Sequence, residues 1–271
     1  MSFELWLSDV KAKLPSDADE AREELFKLSQ TLGDDAQRAA VYELMLELAG
    51  DAYRDYKAQR ANNASASHGS FVERELKPFE LVLRGGQTLK FAQRHIADVH
   101  DLGNAIWEGA VQLCRWLEER PALVREKRVL ELGAGCGACG LVAGCLGASE
   151  VLLTDMANIL PLLESNVAAN RDCGVINVAA LDWTESPLPD YGSFDVVLAA
   201  DCIYIHSPLA RLVDVLQKFA KRGATVLFAF EQHDDESVST FMSLLAERQI
   251  SVQTLRPADE RQRVNIVQIH L

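Results

Sequence analysis

Residues 128–137, Arg-Val-Leu-Glu-Leu-Gly-Ala-Gly-Cys-Gly, constrain the fold of this chain more than any other stretch. An apolar run carrying one acid, Glu131, passes directly into Gly133, Ala134 and Gly135. Glycine has no Cβ and tolerates positive φ, so such a turn lets the backbone approach a ligand closely. A helix that follows offers free N–H groups and the positive end of its dipole at the same place. The segment therefore predicts the first strand and ligand loop of a doubly wound α/β domain. Gly133, Gly135 and Ala138 also satisfy the G-x-G-x-x-G/A pattern, so the loop alone leaves nicotinamide dinucleotides and S-adenosylmethionine both open.

Downstream of the loop, strands and helices alternate. Residues 151–154 read as a strand ending at Asp155, 159–170 as a helix, and 178–181 as a short strand ending at Asp182 and Trp183. Residues 194–200 form an apolar strand ending in Ala200 and followed by Asp201. Helices over 209–219 and 238–248 alternate with strands over 225–230, 251–255 and 264–271, and a helix over 106–119 precedes the glycine loop. Continuous apolar runs, rather than alternating ones, fit a parallel sheet covered on both faces. Two β-prone runs around Gly85 and Gly86 predict a hairpin ahead of this domain.

The first 60 residues carry three apolar stripes at helical spacing, beginning with Phe3, Trp6, Leu7 and Val10, and read as a helical extension. Residues 61–76 are small, polar and non-periodic and read as a linker, which leaves 77–271 as the main domain. A net charge of −13 argues against nonspecific nucleic-acid binding, which depends on Lys and Arg neutralising phosphates. No apolar run reaches the length of a membrane span. The N-terminus lacks a basic-then-apolar leader, and the six cysteines fit a reducing compartment, so the expectation is a cytoplasmic protein with nuclear access left open. Cys136 and Cys139 form a C-x-x-C, but no further ligands at metal-site spacing accompany them.

The strand ends carry the chemistry, because in open α/β sheets ligands lie at the carboxyl ends of strands. Asp155 stands 22 residues beyond Gly133, where a carboxylate can accept hydrogen bonds from ribose hydroxyls or cap the next helix. Asp182 and Trp183 stand where an adenine would rest, the acid for its amine and the indole for its ring. Asp201 and Tyr204 lie three residues apart on one turn and can both face the cleft. His206 follows that turn and is a candidate general base.

Taken together, four segments resemble the class I, seven-β-strand S-adenosylmethionine-dependent methyltransferases, and more narrowly the METTL21-type protein lysine methyltransferase family. They are Gly103-x-x-x-Trp107-x-x-Ala110-x-x-Leu113 in the upstream helix, 129–137 of the glycine loop, Leu181-Asp182-Trp183, and Ala200-Asp201-Cys202-Ile203-Tyr204. The resemblance covers about residues 78–235. It implies a Rossmann-like, mostly parallel seven-stranded sheet, S-adenosylmethionine as cofactor with S-adenosylhomocysteine as product, and a protein lysine ε-amine as acceptor, on a translation factor or chaperone. Histidine or arginine methylation, or a cofactor-binding assembly role with little catalysis, are the alternatives. It implies a monomer that acts on protein and binds neither nucleic acid nor membrane. Gly133, Ala134 and Gly135 would contact the methionine and ribose part of the cofactor. Glu131 would hold the loop or meet the amino group through water, and Asp155 would take the ribose. Asp182 and Trp183 would hold adenine, Trp107 would reach the cofactor from the helix above, and Ala200 would line the cleft. Asp201 and Tyr204 would border the methyl-transfer channel as the catalytic pair. One departure stands out: where the family often places an arginine soon after the fifth strand, this chain has Glu231-Gln232-His233, which points to a different substrate. The first 60 residues loosely resemble the helical extension of the branch that acts on translation elongation factors.

Overall fold

The computed structural model describes residues 76–94, 99–204, 207–231, 235–258 and 263–271, together with helical residues Trp6, Ser8, Val10, Lys11 and Lys13. Most of the expected N-terminal helices, the linker up to residue 75, His206, Gln232 and His233 lie outside the described residues. The chain divides into two compact units, Met1–Arg74 and Glu75–Leu271, and the sheet and its helices belong to the second.

That unit opens with an antiparallel hairpin, β1 (Leu76–Val82) and β2 (Thr88–Arg94). Leu76, placed in the linker by composition, already pairs with Arg94. Seven further strands form one sheet: β3 (Arg128–Leu132), β4 (Glu150–Asp155), β5 (Ile176–Ala180), β6 (Phe194–Ala200), β7 (Ala220–Glu231), β8 (Ser251–Arg256) and β9 (Val264–His270). Their order is β5-β4-β3-β6-β7-β9-β8. Within this sheet β3 to β7 are parallel, and β9 runs antiparallel between β7 and β8. Successive strands step outward from β3 in one direction and then, from β6, in the other. The switch point between β3 and β6 is where such a sheet opens a crevice for a ligand.

The helices are α1 (Glu108–Glu119), α2 (Ala138–Cys145), α3 (Leu160–Ala169), α4 (Leu209–Phe219) and α5 (Asp235–Glu247). Side chains alternate along each central strand, so both faces need cover. Val129, Val151, Leu153, Val196 and Leu198 pack into one core with α1, α2 and the hairpin. Leu130, Leu132, Phe194, Val197 and Ala199 pack into the other with α4 and α5. Each large side chain so buried contributes about 1.5–3 kcal/mol, which explains the continuous apolar runs.

The outer edge of β2 is satisfied by a helix instead of a strand. Asn166 Oδ1 accepts from Ala92 N at 2.8 Å while its Nδ2 donates to Ala92 O at 3.1 Å. Four residues on, Asn170 does the same for Lys90, accepting from N at 2.9 Å and donating to O at 2.7 Å. The helical spacing of four thus matches the two-residue repeat of outward-facing groups on the strand.

Two expectations need correcting. Trp107 and Gly103 do not sit inside the upstream helix. Trp107 is the N-cap of α1 with extended backbone, and Gly103 belongs to a 3-10 turn over Val99–Asn104. The indole Nε1 donates to Leu102 O at 2.9 Å, tying cap to turn. Cys145 at the end of α2 and Cys173 in the turn ahead of β5 come together, their Cα atoms 4.2 Å apart.

Candidate active site

The glycine loop leaves β3 with Gly133, Gly135 and Gly137 all at positive φ, 60°, 53° and 86°. Space as well as torsion demands glycine at 135, because a Cβ there would lie 2.8 Å from Gly103 O. The 3-10 turn therefore crosses directly over the loop. Ala134 N donates to Thr154 O at 2.9 Å, which ties the loop to the end of β4. Asn166 Nδ2 also reaches Cys136 O at 3.1 Å, so the side chain that holds the hairpin holds the loop too.

Glu131 is 2% exposed. Its Oε2 accepts from Gly140 N, in the first turn of α2, at 2.7 Å. The bond ties β3 to the start of α2 across the glycine loop. Burial pushes its carboxyl up to about 7, against the opposing pull of hydrogen bonds from Gly140 and Cys139. Asp155 ends β4 and is also buried. Oδ2 accepts from Gly135 N and Oδ1 from Met156 N, both at 2.7 Å. Burial raises it to about 6, again against those two bonds. Each oxygen keeps a second lone pair for a ligand hydroxyl.

Asp182 is turned inward on its own loop. Its Oδ1 accepts from Thr184 N at 2.9 Å and Thr184 Oγ1 at 2.6 Å, an Asx-type turn. Arg211 of α4 fixes the same loop from behind, donating to Trp183 O at 3.0 Å and Glu185 O at 2.9 Å. The Trp183 ring reaches the glycine loop, 3.4 Å from where a Cβ on Gly133 would stand.

Asp201 follows β6 at a φ of 52°, a left-handed conformation that side-chain-bearing residues seldom adopt. The twist directs its carboxylate back into the fold. Oδ1 accepts from Glu231 N at 3.1 Å. Oδ2 is buried against the first turn of α1, beside the N–H groups of Gly109 and Ala110, without closing a full hydrogen bond. A Cβ on Gly109 would fall 2.3 Å from that oxygen. Burial raises the Asp201 carboxyl, and the nearby Glu231 charge adds to the rise. Tyr204, on the same turn, is half-buried, and its hydroxyl is pushed well up by burial and by the charges of Cys202 and Asp155. Ala200 pairs with Ala229 and stays partly open at the strand end. Cys202, 4% exposed, lies within the fields of Asp155, Asp201 and Glu131 at once.

The structure thus gathers Glu131, Asp155, Asp201 and Tyr204 around the glycine loop, with Trp183 against it and Trp107 above through the 3-10 turn. The sequence reading missed Gly109, Asn166, Asn170 and Arg211. Gly109 alone left a signal, a glycine in the first turn of an otherwise good helix.

Among the described residues, none of the three carboxylates forms an ion pair. Buried charge without a partner is costly, so the site suits a ligand that brings positive charge and hydroxyl donors. S-adenosylmethionine carries both a sulfonium and a ribose and fits. A nicotinamide dinucleotide would bring a pyrophosphate into the same acidic surroundings.

A family model for lysine methyltransferases matches residues 85–248. The chain belongs to that family. It is 36% identical over 128 residues to the protein N-lysine methyltransferase METTL21A of Danio rerio, across 46% of this chain and 58% of that protein. It is 31% identical over 162 residues to EEF1A lysine methyltransferase 3 of Mus musculus, across 59% of this chain and 69% of the relative. The chain therefore spans less than two thirds of the first of these relatives. The fold is shared with the T. thermophilus 16S rRNA N2 G1207 methyltransferase solved in complex with AdoMet and guanosine. That likeness has a TM-score of 0.54 at 20% identity and covers 72% of this chain and 50% of the other.

Proposed function

We propose that the acceptor is a lysine side chain of a folded protein, a translation factor or a chaperone, and that the enzyme works as a cytoplasmic monomer that binds neither nucleic acid nor membrane. The observation that carries the reading is the set of three buried carboxylates, without protein cations among the described residues, around a glycine loop that a crossing backbone turn roofs over. The EEF1A lysine methyltransferase 3 relative supports a translation factor among the candidate substrates.

When bound, S-adenosylmethionine supplies a methyl group already activated on sulfur. What remains for the chain is positioning and proton handling. Gly133, Ala134 and Gly135 would carry the methionine and ribose portion, and Asp155 would accept the ribose hydroxyls with its spare lone pairs. Trp183 would face the adenine, with Asp182 placing it through its turn. Trp107 would cover the cofactor and Ala200 would line the cleft. Glu131 holds the loop from beneath.

Asp201 meets α1 and Glu231 N before it meets any substrate, so we assign it as a positioning residue that fixes the end of β6 and the turn bearing Tyr204. Tyr204 borders the channel with its phenol kept neutral, able to accept a weak contact from the amine. A lysine amine must lose a proton before it attacks, and its ordinary pKa is about 10.4. Burial in the channel lowers that value, while neighbouring carboxylates raise it.

Titration calorimetry with S-adenosylmethionine and, separately, with reduced nicotinamide nucleotides tests the cofactor half. Transfer of labelled methyl to recombinant elongation factor 1A and to lysate proteins, followed by site mapping, tests the acceptor half. Label on histidine or arginine in place of lysine would refute the acceptor assignment.

A further inference from the structure

The loop between β5 and β6 carries Asp182 and Trp183, and α4 holds it by its backbone carbonyls. Arg211, in the first turn of α4, donates from Nε to Trp183 O at 3.0 Å and from Nη2 to Glu185 O at 2.9 Å. Two turns further on, Lys218 Nζ donates to Leu188 O at 2.9 Å. The third edge of the Arg211 guanidinium meets Asp214, one turn along the same helix. Asp214 Oδ2 accepts from Arg211 Nη1 at 3.0 Å, and its Oδ1 accepts from Arg248 Nη2 at 3.3 Å. The side chains of Arg211 and Asp214 are 36% and 38% exposed, so the ion pair as such contributes little stability. What it fixes is direction. A planar guanidinium with one edge on a carboxylate keeps its remaining donors aimed, here at two carbonyls of one loop. Trp183 is thereby held by its carbonyl while its ring lies against the glycine loop, 3.4 Å from where a Cβ on Gly133 would stand.

We propose that Arg211 is a positioning residue for the adenine end of the cofactor. Steadied by Asp214, it keeps the segment from Asp182 to Glu185, and with it the Trp183 ring, in the arrangement that receives the base. The ligand then meets a loop already in place instead of ordering it on arrival, which strengthens binding without adding a contact. Apparent affinity scales with the fraction of molecules in the receptive arrangement. The ribose separates adenine from the sulfonium, so the effect belongs in cofactor affinity and not in the transfer step. The proposal rests on the reading of Asp182 and Trp183 as the adenine side of the site.

The test titrates the full chain with S-adenosylhomocysteine and follows amide exchange at Thr184 and Glu185, whose N–H groups bond to Asp182. Arg211→Gln raises the dissociation constant about tenfold, the effect of lowering the receptive fraction from near unity to about one tenth. It also speeds exchange at both amides in the free protein. Arg211→Lys keeps the charge and can serve one carbonyl but not two, so it recovers part of both losses. Arg248→Gln is the control. Arg248 bonds to Asp214 and to Leu244 O, so its variant disturbs the same carboxylate and leaves the carbonyl bonds of the loop in place. It changes the dissociation constant by less than about twofold. An unchanged affinity in Arg211→Gln overturns the proposal. An equal loss in Arg248→Gln does so too, as does an Arg211→Lys no better than Arg211→Gln. If Arg211→Gln folds poorly, Arg211→Lys decides the matter, by a loss of affinity that Arg248→Gln does not share. S-adenosylhomocysteine that binds the unmodified chain without slowing exchange at Thr184 and Glu185 would refute the adenine placement, and the proposal with it. No binding at all would refute the cofactor reading on which both stand.

Discussion

Glu131→Gln should remove a pH-dependent weakness from the cofactor-free fold. Glu131 is fully enclosed, and burial raises its carboxyl from an ordinary 4.5 to about 7. Between those two values the unfolded chain has released the proton and the folded chain has kept it. Stability then falls with rising pH, at ~1.4 kcal/mol per pH unit. The contribution is fully present below 4.5 and is lost as pH rises through about 7. The span corresponds to about 3 kcal/mol. Glutamine keeps an acceptor for the Gly140 N–H, which Oε2 now takes at 2.7 Å, and adds an amide that can face Cys139. It does not ionise. The variant should therefore match the unmodified protein below pH 4.5 and exceed it by about 3 kcal/mol at pH 8. At ~2–4 °C per kcal/mol this is a difference in Tm of at least ~6 °C. Asp155, raised by burial from 3.8 to about 6, weakens the fold in the same direction over its own window. It is present in both proteins and largely cancels from the comparison. Urea denaturation without cofactor, at half-unit steps from pH 5 to 8, gives the two curves. Curves that run parallel over that range would refute the argument, because the cost would then not lie in ionising Glu131.

Cofactor affinity should move the other way. Asp155 and Glu131 are neutral at pH 5 and ionised at pH 8, so a cationic ligand should bind more tightly as pH rises through about 6 and 7 and should release protons as it binds. Calorimetry in buffers of different ionisation enthalpy reads both effects, and proton uptake would contradict them. Gly109→Ala places a Cβ 2.3 Å from Asp201 Oδ2. Forced movement of that carboxylate should cost ~1–3 kcal/mol despite the better helix former. It should lower methyl transfer more than cofactor binding, and equal losses in both would argue against the positioning role. Asn166→Ala deletes bonds to Ala92 N, Ala92 O and Cys136 O, leaving buried backbone groups unpaired at ~1–3 kcal/mol each. Faster amide exchange at Ala92, together with weaker cofactor binding, is the expected signature. Asn166→Asp, which keeps only the acceptor, should fall between the two.

The parts of the fold legible in the sequence are those written in local pattern. The apolar run at 129–132 and the glycines after it specify β3 and its loop because torsion and burial act on neighbouring residues. The strands ending at Asp155 and near Asp201 were legible for the same reason. The orientation of Asp201 was not. It depends on a φ of 52° at a residue that carries a side chain, and on the absence of a Cβ at Gly109, which is 92 positions away in the chain. Asn166 and Asn170 looked like ordinary polar positions on a helix, since the strand they serve lies 74 and 80 residues earlier. Trp107 was placed inside the helix by spacing alone, whereas its indole bond to Leu102 O makes it the cap. Asp182 illustrates a further limit. Its position after β5 was clear, but a short polar side chain at a turn also bonds its own backbone, and here Thr184 takes it.

Around the glycine loop the fold supplies acids and no cation among the described residues, and it draws them into low dielectric, where they resist ionising. A protein cation placed there would relieve that cost permanently and would leave less to gain from a sulfonium. A cationic ligand is favoured there because it completes an unpaired site, which is why pH should govern its binding.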